Sequence, residues 1–437
     1  MKKHYFIFIL CIVGFNRLRA QTLDSLLASK MQNTIDSMRL ATNLKGISAC
    51  VLYPGKGMWE GVSGISHNGQ PIATGMLFGI GSNTKLFTGV LLLKLAQNNV
   101  IRLDDSIYKY LPTYNYINPH ITIRQLLNHT SGLFDIISTP GYMDSILSNP
   151  NRLYTPTELM SWLGPPLFAP GKGWNYCNTN YILAGMIAEA ATGKSYGKLL
   201  RDSILSPLKL DSTFLDVFET VLYPVAHPWQ GANDNFGVPR KALNSAAWSA
   251  GAMYSTAAQM TKWYESLMGG KVLSPAYFKE LTTFVGQGKY GMGIIESIVN
   301  GRTVWQHAGT IWGGYNSSMM YDTATGIIIC VLINQLPAQA YQISSQLLLA
   351  TISQTVGITE ALNTSLKIDI YPNPTSCVLY IDISGQKLQS AELYNMQGKR
   401  INVFNQSLLP VEELSAGVYY LVINTSGGSV VKKFIKQ

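Results

Sequence analysis

The two ends of residues 25–355, not their middle, hold the strand-forming sequence, and this arrangement constrains the fold more than any other feature. Gly46 to Tyr53 is β-rich and alternating, Pro54-Gly55-Lys56-Gly57 turns it, and Met58 to Val62 returns as the second arm of a hairpin. Strand patterns resume only at Tyr290–Glu296, followed by Arg302–His307, Asn316–Tyr321 and Ile327–Asn334. A helical pattern flanks each set on the outside, Leu23 to Met38 with Thr22 as its N-cap, and Ala338 to Gln354. Mostly helical sequence lies between. One antiparallel sheet assembled from both ends, sandwiched by helices, with a helical subdomain beside it, satisfies this order and makes the fold class α/β.

Inside the insert, Gly81-Ser82-Asn83-Thr84-Lys85 leads into the apolar run Leu86 to Leu95. Ser82 and Lys85 are three apart, almost one helical turn, so Oγ and Nζ can point the same way. A serine hydroxyl is a poor nucleophile unless a base takes its proton, and a neutral lysine amine can be that base. A helix start also offers free N–H groups and a positive dipole end, which favour an oxyanion nearby.

Further on, Ile121 to Leu133 reads as a helix with Thr122 at its cap and Gly132 at its end. His129 and Ser131 lie two apart at that end, so their side chains diverge and they read as a polar terminus packed on the core. Pro165-Pro166 through Pro170-Gly171-Lys172-Gly173-Trp174 is a stiff loop that delivers Asn175-Tyr176-Cys177-Asn178-Thr179-Asn180. Tyr181 to Ala191 is helical, Thr192-Gly193 closes it, and Tyr196 to Leu205 begins another helix. Thr213 to Trp248 is aromatic and turn-rich and is expected to line one side of a cleft, before helical pattern returns over Ser255 to Met268.

Residues 1–20 read as a secretory signal: Lys2-Lys3, an apolar core from Tyr5 to Gly14, and a cut site at Ala20-Gln21. That core is too short to span a bilayer, and no later segment is apolar for long enough. The leader accounts for four of the basic residues behind the formal charge of +9, and the rest carries roughly +5 with no dense basic block, so nucleic acid is not an expected partner. The histidines at 4, 67, 120, 129, 227 and 307 show no metal-ligand spacing, and no metal or other cofactor is expected. Cys50 and Cys330 both fall in expected strands and could be neighbours; buried free thiols are the preferred reading.

After Gly357 the composition changes. Residues 358–367 read as a linker, and 368–437 as a small all-β sandwich of short strands cut by turns at Tyr371-Pro372-Asn373-Pro374, Asn395 to Lys399 and Asn424 to Gly428.

Ser82-x-x-Lys85, Tyr176-x-Asn178 and His307-Ala308-Gly309-Thr310, in that order, resemble the penicillin-recognising serine hydrolases over residues 25–355. The branch of class C β-lactamases, serine D-alanyl-D-alanine carboxypeptidases and related esterases is the most similar. The resemblance implies a hydrolase domain over 21–357 in which Ser82 forms an acyl-enzyme and Lys85 accepts its proton or holds Tyr176 as an anion. Tyr176 would act as base and acid towards the leaving group, and Asn178 would orient Lys85 and the substrate amide. His307 and Gly309 would edge the substrate site, with Gly309 leaving room for its approach. The backbone N–H groups of Ser82 and Thr310 would form the oxyanion hole. A free lysine titrates near 10.4 and is useless as a base at neutral pH, so burial would have to lower it, or its charge would lower Tyr176. Two departures stand out. Class C β-lactamases typically carry lysine where His307 stands, which tilts the expectation towards a peptidase or esterase. Cys177 sits where a small residue is commoner and would be open to oxidation near the site.

Tyr371-Pro372-Asn373-Pro374, Gly398-Lys399, Gly417-Val418-Tyr419 and Lys432 to Lys436 resemble the C-terminal sorting domain of type IX secretion substrates. This implies the type IX machinery as a partner and a location outside the cell or on its surface. A generic β-sandwich module is the alternative. The leading expectation is thus an exported serine hydrolase acting on D-alanyl peptides or short acyl esters. A β-lactamase with fast deacylation is a second reading, and a non-catalytic surface binding protein on the same fold a third.

Overall fold

The computed structural model of the protein describes residues 23–352 except residue 312, and residues 368–437 except 384, 386, 396–399 and 427. The expected leader, the Thr22 cap, the linker over 358–367 and most of the turn at 395–399 lie outside the described residues. The chain divides into two units, 1–354 and 355–437.

In the first unit, the described residues form a seven-stranded sheet in the order Gln70–Pro71, Gly57–His67, Gly46–Tyr53, Ile328–Ile333, Tyr315–Asp322, Arg302–Ile311, Ile295–Val299. Every neighbour is antiparallel. The two ends of the unit meet at the sheet's centre, where Ile47 pairs with Ile333 and Leu52 with Ile328. Cys50 lies directly opposite Cys330 in that ladder, and both thiols are buried and free.

Side chains alternate between two cores. Ile47, Ala49 and Val51 join Ile329, Val331 and Ile333 on one face, under Leu27, Met31 and Ile35 of the helix Ser25–Ala41 and Leu347 and Leu348 of the helix Ala340–Ile352. Cys50, Met319, Cys330 and Leu332 face the other way, into the core of the helical insert. Because both faces are covered, Gly46–Tyr53 is buried almost continuously. Truncating such a position, for example Leu347→Ala, is expected to cost about 2–5 kcal/mol. Asp24 caps the first helix, its Oδ1 accepting from the N–H groups of Leu26 and Leu27.

The first unit differs from the sequence expectation in three places. The helix expected over Ile121–Leu133 is confined to Ile123–Leu127, because His129 takes a left-handed φ of 64° that ends it. The helix from Tyr196 reaches Leu205 as expected, its second half, Arg201–Leu205, being a π turn. A helix, Lys241–Gly251, lies within and beyond the stretch read as turn-rich. The strand expected from Tyr290 begins only at Ile295. Its first residues instead cross the helix Thr84–Gln97 so closely that a Cβ on Gly293 would lie 2.7 Å from the Lys85 carbonyl oxygen.

The second unit forms two sheets, Ile368–Tyr371 with Val378–Ile383 and Leu408–Pro410, and Arg400–Phe404 with Leu388–Asn395, Gly417–Thr425 and Gly428–Lys436. Leu379, Ile381, Leu393, Leu421, Ile423 and Phe434 fill its core. Among the described residues no helix is long and apolar enough to cross a membrane.

Candidate active site

The helix Thr84–Gln97 is buried along nearly its whole length, so its apolar sequence needs no polar face. It packs against the helices Asn178–Thr192, Lys241–Gly251 and Pro275–Leu281. Ser82 sits just before it, in the single 3-10 turn Gly81–Asn83. That turn is clamped from both sides. Asn83 Nδ2 donates to Ser317 Oγ at 2.8 Å, Ser317 Oγ donates to the Ile80 carbonyl at 2.7 Å, and the Ile80 N–H bonds the Met253 carbonyl at 2.9 Å. Gly81 has φ +51°, and a Cβ there would lie 2.7–2.8 Å from backbone atoms of Thr310. Only glycine lets the turn approach the strand Arg302–Ile311 so closely. The approach brings the Ser82 and Thr310 backbones together, and the first N–H groups of a helical turn have no partner within it.

Lys85 is buried, and its Nζ meets three acceptors: Ser82 Oγ at 3.1 Å, Asn178 Oδ1 at 2.7 Å and the Ala250 carbonyl at 2.8 Å. Burial lowers its pKa to about 7, against the opposing pull of Asp135. The Asn178 amide is oriented by Asp135, whose Oδ2 accepts from Asn178 Nδ2 at 2.9 Å. A carboxylate can only accept there, so Oδ1 is the atom left for Lys85. Burial raises the Asp135 carboxyl, and the hydrogen bonds from Asn178 oppose it. When Lys85 is neutral, Asn178 Oδ1 and the Ala250 carbonyl hold its two remaining hydrogens. Its lone pair is then left facing Ser82 Oγ.

The Ala250 carbonyl reaches Lys85 because Trp248 breaks the helix Lys241–Gly251 with φ 35° and ψ −121°. The turn aims two successive carbonyls inward, Ser249 at Thr88 Oγ1 (2.6 Å) and Ala250 at Lys85. A non-glycine residue held in such a region costs on the order of 1–3 kcal/mol.

Tyr176 Oη is buried and makes no regular hydrogen bond, although Ser82 lies close enough to pull on its phenol. Burial raises that phenol above its ordinary value, so the neutral form is favoured. Lys85 Nζ lies 5.0 Å from its ring centre. The ring itself is packed by His129, Tyr290 and His307, with centroids at 4.6, 6.0 and 6.3 Å.

The third motif contributes differently from expectation. Along the strand Arg302–Ile311, Ala308 and Thr310 are exposed, while His307 and Gly309 are buried. His307 Nδ1 lies 2.6 Å from the Ala308 carbonyl and Nε2 lies 2.9 Å from Tyr290 Oη, so both nitrogens are engaged. A carbonyl only accepts, which puts the proton on Nδ1 and leaves Nε2 to accept from Tyr290. Burial, followed by Lys85, lowers the His307 pKa to about 3. His307 therefore backs Tyr176 as a neutral ring with both nitrogens engaged within the protein. Gly309 faces inward too: a Cβ there would lie 2.0 Å from the Ile80 carbonyl oxygen. It makes room for the close approach of the turn that carries Ser82.

Cys177 is likewise turned away, its Sγ 3.5 Å from the Phe134 carbonyl. It is fully buried and its pKa is pushed up to about 12 by burial, so the oxidation expected of it has no exposed thiolate to start from. His129 and Ser131 both hold this segment and meet at Asn180, whose Nδ2 lies 3.0 Å from His129 Nδ1. His129 Nδ1 accepts from the Cys177 N–H at 3.2 Å, and Ser131 Oγ donates to Asn180 Oδ1 at 2.6 Å.

A cavity of about 320 Å³ opens beside Ser82, Tyr176, Asn178 and Thr310. Its apolar lining includes Ile137, Ile146, Ile182, Leu243, Ala246 and Ala247. Sequence reasoning brought Ser82, Lys85, Tyr176 and Asn178 forward, and the fold gathers all four. It missed Asp135, the Ala250 carbonyl and the apolar walls. Asp135 carried a signal, an acid just past a helix stop amid apolar residues. The other two carried none.

Residues 23–350 match the family model described as Beta-lactamase, and residues 369–437 match the one described as Secretion system C-terminal sorting domain. Protein flp of Staphylococcus aureus (strain NCTC 8325 / PS 47) is 41% identical over 139 residues, 31% of this chain. The chain thus spans only 27% of the length of that curated relative. A D-stereospecific amidohydrolase from Streptomyces sp. superposes with a TM-score of 0.64 at 29% identity, covering 72% of this chain and 97% of that one. The D-amino acid amidase of Ochrobactrum anthropi SV3, complexed with L-phenylalanine, superposes with a TM-score of 0.68 at 27% identity, covering 76% and 100%.

Proposed function

The chain belongs to the beta-lactamase family and carries a secretion system C-terminal sorting domain, and we propose that it is an exported serine hydrolase that works through an acyl-enzyme on small amides or esters. The sorting domain implies the type IX machinery as its route to the cell surface or beyond. The observation that carries the hydrolase reading is Lys85, buried, 3.1 Å from Ser82 Oγ and fixed by two further acceptors.

In this reading Ser82 Oγ attacks the substrate carbonyl and passes its proton to Lys85 Nζ. The carbonyl electron pair moves onto oxygen between the N–H groups of Ser82 and Thr310. Loss of one such donor costs on the order of 100-fold or more in rate. When the tetrahedral centre collapses, the bond to the leaving nitrogen or oxygen breaks and Tyr176 Oη supplies its proton. The Lys85 ammonium then gives its proton to the Tyr176 oxygen, which leaves both groups neutral. Water then attacks the Ser82 ester by the reverse route, releasing the acid. A raised Tyr176 phenol and a lowered Lys85 favour lysine, not a tyrosine anion, as the base. D-amino acid amides, as in the structural neighbours' descriptions, and D-alanyl peptides or acyl esters are the substrate classes considered.

A fluorophosphonate probe should label Ser82, with the modified peptide identified by mass spectrometry. Equal labelling of wild type and Ser82→Ala would sink the proposal.

A further inference from the structure

We infer that the cavity beside Ser82 is a subsite for an uncharged, apolar acyl arm about the size of a phenyl ring or a hexanoyl chain. The inference rests on the serine hydrolase reading above and specifies its substrate. Pockets that hold whole small molecules run from about 300 to 1,000 Å³. At about 320 Å³ this one has room for a compact group beside Ser82.

The polar lining groups are divided unevenly. Ser82, Tyr176, Asn178 and Thr310 cluster at the reacting end, and beyond them Tyr142 is the one side chain with a polar atom. Ile182 lies four residues past Asn178 on the same helix, hence on the same face and one turn further in. Ile146 on the helix Tyr142–Ser148, together with Leu243 and Ala246 on the helix Lys241–Gly251, closes the lobe. None of the lining residues is arginine, lysine or histidine. A substrate carboxylate inside would be desolvated with no cation to meet it, which is costly.

The direction of the arm follows from the reacting groups. The oxyanion points to the Ser82 and Thr310 backbones, and the leaving group lies at Tyr176. The rings against Tyr176, those of His129, Tyr290 and His307, are not among the cavity's walls. The apolar lobe is therefore left for the group bonded to the acyl carbon.

The test uses p-nitrophenyl acetate, butyrate and hexanoate, which share one leaving group, and the p-nitrophenyl monoester of adipic acid, which adds a carboxylate to a hexanoyl-length arm. Each buried methylene should raise kcat/KM about fourfold, and the adipate ester should fall at least tenfold below the hexanoate. Ala246→Phe, which fills the lobe, should remove the chain-length gain, so that acetate and hexanoate turn over with similar kcat/KM. Ile146→Ala, which enlarges it, should move the optimum to a longer chain. Ser82-dependent turnover that is flat along the series, or equal for adipate and hexanoate, overturns the subsite and leaves the hydrolase reading standing. Absence of any Ser82-dependent turnover overturns both.

Discussion

Lys85 Nζ lies 2.8 Å from the Ala250 carbonyl oxygen, an acceptor that no sequence motif announces. The bond exists because Trp248 leaves helical geometry two residues earlier. In the proposed mechanism it makes a buried lysine a base of fixed aim, since an amine with two committed hydrogens has one direction left for its lone pair.

The first prediction concerns pH. With the Lys85 pKa lowered to about 7, acylation should rise through a limb near pH 7 and level off above it. Folding is linked to the same shift. Between about 7 and the ordinary 10.5, the unfolded chain binds a proton at Lys85 that the folded chain does not, so stability rises with pH across that window and is reduced below it. Lys85→Met should slow acylation by about 100- to 10,000-fold and flatten its share of the stability slope. Urea titrations of both proteins at several pH values measure this, and parallel slopes would contradict it.

Asp135→Asn separates charge from shape. The Asp135 charge raises the Lys85 pKa, so its removal should move the rate limb to lower pH. The Asn178 amide also loses its carboxylate anchor, so the plateau rate should drop by about tenfold or more, as expected when a positioning contact is lost. A limb that stays in place would show that Asp135 does not act on Lys85.

Gly309→Ala tests the closeness of turn and strand. The new methyl would lie 2.0 Å from the Ile80 carbonyl oxygen, so the strand or the nucleophile turn must shift. A displacement of about 1 Å at the reacting atoms can cost 100-fold in rate. The expected result is a protein that folds with a lowered Tm and loses most of its acylation rate. A variant with wild-type labelling kinetics would remove this constraint.

Thiol accessibility should separate the cysteines of the folded chain sharply. Cys377 is exposed, whereas Cys50, Cys177 and Cys330 are buried, and burial pushes the Cys50 thiol up to about 12. N-ethylmaleimide at neutral pH should modify Cys377 in the native protein and the other three only after unfolding. Rapid native modification of Cys177 would contradict its placement against Phe134.

Much of this architecture is legible before any coordinates. Strand patterns on either side of a helical insert required a sheet closed by its own ends, and Ile47 opposite Ile333 is that closure. The spacing of Ser82 and Lys85 was legible because one helical turn fixes it. What stayed hidden depends on interactions that sequence spacing does not encode. His307 and Gly309 looked like substrate contacts, yet a strand presents alternate residues to opposite sides, and it is Ala308 and Thr310 that face outward. The period of two allowed either assignment until the nucleophile turn fixed which face was covered. The Trp248 turn was hidden for another reason: tertiary contacts, not local propensity, hold that backbone against its preference. The Lys241–Gly251 helix, interrupted by it, consequently read as irregular.

Asn83 and Ser317, which clamp the nucleophile turn, stand 234 positions apart in the chain. Thr310, opposite Gly81, arrives almost as late. Loop closure over such distances comes late in assembly. Fragments ending before residue 310 would contain Ser82, Lys85, Tyr176 and Asn178 yet lack half of the proposed oxyanion hole. In the proposed mechanism, reactivity therefore depends on the last strands of the sheet taking their places.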